Sequence, residues 1–182
     1  CPYIDPNSWM IYHERVSDQG TISTVVTGAE ILEFIAERGA VSPAEIAKSL
    51  SLARANVHRL LTTLHCLGFV DRRTDGLWVL TFRLFELGNP VPHSRGLIDP
   101  ARPAMLRLSQ IVGHTVNHGI LYQEQVLFID KVDLLAYIKL GRAIGSSQPL
   151  HCTSLGKVLL AYQEESERER IVFLLHQQGR LQ

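Results

Sequence analysis

The chain has 182 residues, 46% of them hydrophobic and 20% charged, and its 18 Lys+Arg balance 18 Asp+Glu. That length accommodates one or two globular domains, and the zero net charge excludes an acidic or basic tail as the means of finding a partner. No apolar run approaches the ~18 residues of a membrane-spanning helix and no signal-peptide pattern opens the chain, so no membrane partner is expected.

Residues 1–22 match no recognisable element and stay unassigned. From Thr27 to Arg38 the apolar positions Ile31, Leu32, Phe34 and Ile35 have helical spacing, which predicts the first helix of a trihelical core. Ser42-Pro-Ala-Glu45 is a capping box with proline at the first helical position. The short helix it starts puts Ile46, Ala47 and Leu50 on one face, and Ser49-Leu50-Ser51 is expected to turn the chain. A second helix from about Ala53 to Cys66 follows, with Val57, Leu60, Leu61 and Leu64 as a buried stripe. Gly68 stands where that helix should end. Phe69-Val70 and Leu77-Trp78-Val79-Leu80 then read as two short strands around the hairpin signal Thr74-Asp75-Gly76. Helix, tight turn, helix and hairpin in this order predict a winged helix-turn-helix spanning 23–81.

The side of the second helix opposite its apolar stripe carries Arg54, Ala55, Asn56, His58, Arg59 and Thr62, and the hairpin carries Arg72 and Arg73. A helix fits the major groove, where amide and guanidinium groups read base edges; arginines on a hairpin neutralise phosphates. From Lys48 to Arg73 there are five basic residues (48, 54, 59, 72, 73) against one acid, Asp71. Residues 27–88 as a whole hold seven of each sign, so any DNA footprint must be concentrated on one face. The competing reading is a winged helix used as a protein contact.

A linker helix and linker are expected over 82–97, with apolar Phe82, Leu84, Phe85 and Leu87 and a break at Gly88-Asn-Pro-Val-Pro92. A second domain, 98–182, should hold a helix from Asp99 to Val112, strands at Thr115–Tyr122, Val126–Val132 and Ala136–Leu140, and a polar turn at Gln123-Glu124-Gln125. A loop with Gly141, Gly145 and Pro149 leads to helices from Ser154 to Tyr162 and from about Glu165 to His176. The start of the helix at Ser154 offers free amides and a positive dipole end, suited to a carboxylate, or else Thr153 and Ser154 simply cap it. Asp130, Lys131 and Asp133 are either a solvated strand end or a contact between subunits.

Catalytic and metal chemistry find little support. Gly156-Lys157 is not a phosphate loop, because His151 stands where its first glycine belongs and no Ser or Thr follows the lysine. His114 and His118, with His151 further on, lack the cysteines or carboxylates of a metal set, so an ordinary polar strand face is the better reading. No GxSxG, HExxH or CxxC occurs, and no cofactor is expected. Cys1, Cys66 and Cys152 are odd in number and far apart, which suits reduced thiols in the cytoplasm.

Three stretches together resemble the IclR family of bacterial transcriptional regulators. They are GAEILEFIAERGAVSPAEIAKSLSLARANVHRLLTTLHCLGFVDRRTDGLWVLTFRLFELG (28–88), LFIDKVD (127–133) and PLHCTSLGKVLLA (149–161). The resemblance implies an α+β protein: an N-terminal winged helix-turn-helix followed by a GAF/PAS-like α/β effector-binding domain. It implies a homodimer, often paired into a tetramer, acting on promoter double-stranded DNA as repressor or activator. It further implies a small organic-acid effector, with Leu140, Gln148, Ser154 and Leu155 as pocket contacts by their place in the family motif. This chain departs from the family at Ala55-Asn56, where a Ser-Thr pair is common, and at Ala53, where proline is frequent. Members also run well beyond the point where it stops, so the effector domain is expected to be truncated. The reading is a DNA-binding regulator and not an enzyme. The alternatives are a ligand-binding protein that has lost DNA binding, and a non-functional truncated product.

Overall fold

The computed structural model of the chain describes residues 20–133, 143–177 and 179. The chain divides into two compact units at Val91–Pro92.

In the first unit, α1 (Ser23–Arg38) begins four residues before the expected Thr27. Val25, Val26 and the adjoining threonines are β-branched and weak helix formers. The helix nonetheless runs through them, and the Thr27 hydroxyl donates to the Ser23 carbonyl at 3.0 Å. After α1, the chain forms a two-residue strand β1 (Ala40–Val41) that the sequence pattern does not reveal. Helix α2 (Pro43–Ser49) starts at the expected box: the Glu45 amide donates to the Ser42 hydroxyl at 3.3 Å and the Ser42 amide donates to the Glu45 carboxylate at 2.7 Å.

The helix-turn-helix corner lies one residue later than the Ser49-Leu50-Ser51 expectation, because α2 extends through Ser49. Leu52 donates its amide to the Ala47 carbonyl at 2.9 Å around Ser51, whose φ is +53°. This is a Schellman closure with serine in the left-handed position that glycine usually fills. Helix α3 (Arg54–Cys66) follows. Three members of its stripe are buried as expected, Val57 and Leu61 at 0% exposure and Leu64 at 8%, while Leu60 is half-buried. Strands β2 (Val70–Arg72) and β3 (Trp78–Leu80) complete an antiparallel sheet of order β1-β3-β2, in which Trp78 is paired with Val41 on one side and Arg72 on the other. Ile31, Ile35, Val41, Ile46, Val57, Leu61, Val70 and Trp78 form one apolar core under the three helices and the sheet.

Two short helices follow, α4 (Arg83–Gly88) and α5 (Pro90–Ser94). The expected break at Gly88–Pro92 is therefore a helical joint. Asn89 keeps helical angles and donates its amide to the Phe85 carbonyl at 2.8 Å. Pro90 sits at the first position of the next helix, where its missing N–H costs nothing. Phe82, Phe85 and Leu87 are exposed.

In the second unit, α6 (Arg102–Val112) starts three residues after the expected Asp99, with Pro103 in its first turn. Strands β4 (Val116–Tyr122), β5 (Gln125–Val132) and β6 (Ser147–Pro149) make an antiparallel sheet in that order. Strand β6 lies in the stretch expected to be loop; three residues are too few to show a two-residue period. The strand expected at Ala136–Leu140 lies outside the described residues. The β4–β5 turn has two residues, not three: Gln125 is in the strand and buried, while Gln123 and Glu124 take φ of +50° and +59°. Such a turn favours asparagine and glycine, and each non-glycine residue there costs about 1 kcal/mol. An ion pair from Arg170 to Glu124 at 2.9 Å holds the strained corner against helix α8 (Glu165–Gln177). Arg170 also grips Glu167 at 2.7 Å, and the two carboxylates push the guanidinium pKa above its ordinary value.

Helix α7 (Ser154–Ala161) meets the sheet closely. A Cβ at Gly119 would lie 2.7 Å from Leu155 Cδ2, and one at Gly156 would lie 2.3 Å from the Leu150 carbonyl oxygen. Only glycine fits at 156, where the obstruction is backbone; at 119 a Cβ would displace the Leu155 and Val126 side chains. Val126, Phe128, Leu150, Ile171 and Leu175 form the core between the sheet and the last two helices.

Candidate nucleic-acid interface and effector segment

Arg54, Ala55, Asn56, His58, Arg59 and Thr62 are all exposed on α3, opposite its buried stripe. Neither Arg54 nor Arg59 forms an ion pair among the described residues, so both guanidinium groups keep their donors for an external acceptor. The Thr62 hydroxyl is different: it donates to the His58 carbonyl at 2.8 Å and is left with acceptor capacity only. A cleft of about 260 Å³ runs beside this face, lined by Asn56, Arg59, Leu60 and Thr63 of α3, by Leu52, and by Ser23, Thr24 and Thr27 of α1.

In the hairpin, Arg72 ends β2 and Arg73 opens the turn; both are exposed. Arg73 pairs with Asp75 at 2.9 Å, whereas Arg72 has no ion-pair partner among the described residues. Asp75 also accepts from the Leu77 amide at 3.1 Å, and Gly76 has a φ of +85°, so the aspartate shapes the turn as well as masking one charge. Two residues with no sequence signal tie the hairpin down. His65, in the last turn of α3, places Nδ1 3.0 Å from the Val70 carbonyl and stands edge-on to Trp78. Thr81 donates its hydroxyl to the Gly68 carbonyl and accepts from the Arg83 amide at 3.2 Å.

In the second unit, Gln148 lies in β6, is 9% exposed, and donates its amide to the Ser147 carbonyl at 2.8 Å. Ser154 is the exposed first residue of α7, and Leu155, half-buried, packs toward Gly119. Leu140 lies outside the described residues. Thr153 is the N-cap, its hydroxyl accepting from the Gly156 amide at 3.0 Å. Capping thus satisfies one first-turn amide and leaves those of Ser154 and Leu155 pointing off the helix end.

Two expectations change. Asp130 is not a solvated strand end: it is 6% exposed and accepts from Arg102 at 2.8 Å through both oxygens, fastening α6 to β5. Lys131 pairs with Asp133 at 2.8 Å beside it. His114 precedes β4, so it does not share a strand face with His118. The Nδ1 atoms of His118 and His151 are buried without a hydrogen-bond partner. Among the described residues no group of three or more His, Cys, Asp or Glu could hold a metal ion, and no helix is long and apolar enough to cross a membrane.

A trihelical head with a three-stranded sheet whose hairpin forms a wing, joined to an antiparallel α/β unit, defines a winged-helix protein with an appended sensor-like domain. Residues 24–74 match the IclR helix-turn-helix domain, and 91–179 match the C-terminal domain of bacterial IclR transcriptional regulators. The chain belongs to the IclR family of bacterial transcriptional regulators, a family of regulators and not of enzymes. It is 32% identical over 164 residues to the acetate operon repressor of Salmonella typhimurium, covering 88% of this chain and 59% of that protein. The chain thus spans about three fifths of that relative's length. Among solved structures, an IclR-family regulator from Brucella abortus superposes with a TM-score of 0.70 at 25% identity, over 90% of this chain and 63% of that one. An IclR homologue from Microbacterium hydrocarbonoxydans, solved with 4-hydroxybenzoate, gives 0.68 at 25% identity, over 81% and 62%.

Proposed function

We propose that this chain is a cytoplasmic, homodimeric regulator that binds promoter double-stranded DNA through residues 23–81 and a small organic acid through residues 98–182, with 82–97 as the link. The observation that carries this reading is the exposed polar face of α3, with Arg54 and Arg59 free of ion pairs among the described residues and Asn56 and His58 between them. The N-terminal half of α3 reads a major groove, with Ala55 close to the bases and Thr62 toward the rim. Arg72 neutralises a phosphate from the wing. Arg73 joins it when DNA displaces Asp75.

The effector reading is supported by the two open amides at the start of α7, beside Gln148 and Leu155, an end that attracts a carboxylate. Leu140 completes the set by its place in the family motif. The Microbacterium homologue was solved with a carboxylate ligand. A ligand changes DNA binding only if it prefers one dimer arrangement over the other.

Selection of bound fragments from genomic DNA with the purified chain, read across a salt series, tests the reading. The expected result is a recovered palindromic site bound with steep salt dependence. A folded, dimeric sample that enriches nothing overturns it.

A further inference from the structure

Given α3 and the hairpin as the DNA-reading elements proposed above, we infer that His65 is a positioning residue that sets where the wing arginine stands relative to the reading helix. The two strands of the wing are three residues each; β3 is held on its other side by β1, and β2, which carries Arg72, is the edge strand. Its direction is fixed at the base, where it leaves α3. His65 touches both strands, β2 at its base and β3 at its turn end. Its Nδ1 reaches the carbonyl of Val70, the first residue of β2, at 3.0 Å, and its ring meets that of Trp78, the first residue of β3, at 5.9 Å and 82°.

The chemistry of the contact is one-way. A carbonyl only accepts, so the hydrogen sits on Nδ1 and the neutral ring has a single tautomer. Asp71 Oδ1, at 3.6 Å from the same nitrogen, lies beyond hydrogen-bond range and does not compete. Trp78 and Val70 are buried, 7% and 1% exposed, so His65 is anchored to fixed points of the core while half of its own side chain faces solvent. Arg72 lies two residues beyond Val70 and is paired with Trp78 across the ribbon. The imidazole thus meets both the start of the strand that carries Arg72 and the residue directly opposite Arg72. Backbone bonds already close the turn itself, from the Phe69 amide to the Leu64 carbonyl and from the Gly68 amide to the His65 carbonyl, both at 2.9 Å. The imidazole is not needed to end the helix; it is the brace between helix and ribbon.

The brace is tested with H65A, H65N and H65Q in the full chain. The probe is the genomic duplex most enriched by the wild-type chain, titrated between about 50 and 200 mM salt. Asparagine puts an amide nitrogen where Nδ1 stands; glutamine puts one a bond further out. H65A and H65Q are expected to bind about tenfold more weakly, with a salt slope shallower by about one phosphate contact, and H65N to restore both. Variants that all match wild type in affinity and slope overturn the proposal, as does a His65 protonated on Nε2 and bare on Nδ1 in long-range nitrogen NMR spectra. If H65A does not fold, the contrast between H65N and H65Q decides. A wild-type chain with no salt-dependent DNA binding removes the DNA reading and the brace together. A wild-type chain that binds, with variants that match it, removes only the brace.

Discussion

The two units solve the problem of burial differently. The first hides apolar side chains and leaves its charges outside; the second takes polar groups in. Among the described residues, every buried polar or charged side chain lies in the second unit: Ser109, Gln125, Asp130 and Gln148. The buried, unpartnered Nδ1 atoms of His118 and His151 lie there too. An apolar core tolerates any arrangement of surface charge, so the face of α3 is free to be whatever a partner requires. A buried polar group has to find its own partner, and the second unit depends on specific pairs in a way the first does not.

The comparison breaks most visibly at the core of the first unit. Leu61→Ala removes a fully buried side chain and is expected to cost about 2–5 kcal/mol, read as lost protection of α1–α3 amides in hydrogen exchange. If α6–β6 loses protection equally, the units are not separate in stability. Arg102→Ala is the counterpart in the second unit. It strips a 6%-exposed carboxylate of its guanidinium partner and leaves it the Lys131 amide, and because Arg102 is itself half-exposed the expected cost is about 2–3 kcal/mol. Exchange should then rise in α6 and β5 with α3 unmoved.

Arg59→Ala sharpens the contrast from the functional side. It should leave thermal stability within about 0.5 kcal/mol while lowering affinity for a selected DNA site by about 1–3 kcal/mol. Unchanged site affinity would remove Arg59 from the reading face. The smallest effect concerns pH. Hydrogen bonds from the Ser42 amide and hydroxyl hold the Glu45 carboxyl below its ordinary value of 4.5. A depressed folded-state value means the contribution is complete above the ordinary carboxylate range and is lost as pH falls through the folded value. Thermal melting followed from pH 6 downward should show a drop that is shallower in Glu45→Gln; identical profiles would remove the capping box from the acid response.

Local grammar was legible where one residue type has one local use. The Ser42–Glu45 box, the stripe from Val57 to Leu64 and the stop at Gly68 each announce themselves within a few residues. The exposed set on α3 followed from that stripe by subtraction. What escaped needed the third dimension. Strand β1 exists only because Val41 lies against Trp78, and β6 only because Gln148 lies against Val126. Arg102 and Asp130 are 28 positions apart and nothing local links them. Gly119 and Gly156 look like ordinary breakers until Leu155 and Leu150 are seen where their side chains would go. Helix α1 began early through local bonds that the β-branched run did not announce, from the Val25 and Val26 amides to the Ile22 carbonyl and from the Thr27 hydroxyl to Ser23.

The Thr81 hydroxyl has a consequence for motion. Its hydrogen goes to the carbonyl just past the reading helix, at Gly68, and its lone pair takes the first amide of α4, at Arg83. The wing exit, the helix end and the linker start therefore share one oxygen atom, with only Phe82 between Thr81 and Arg83. A twist applied to α4 at its first turn reaches the end of α3 as torque on a single joint, and is not dissipated in a loop.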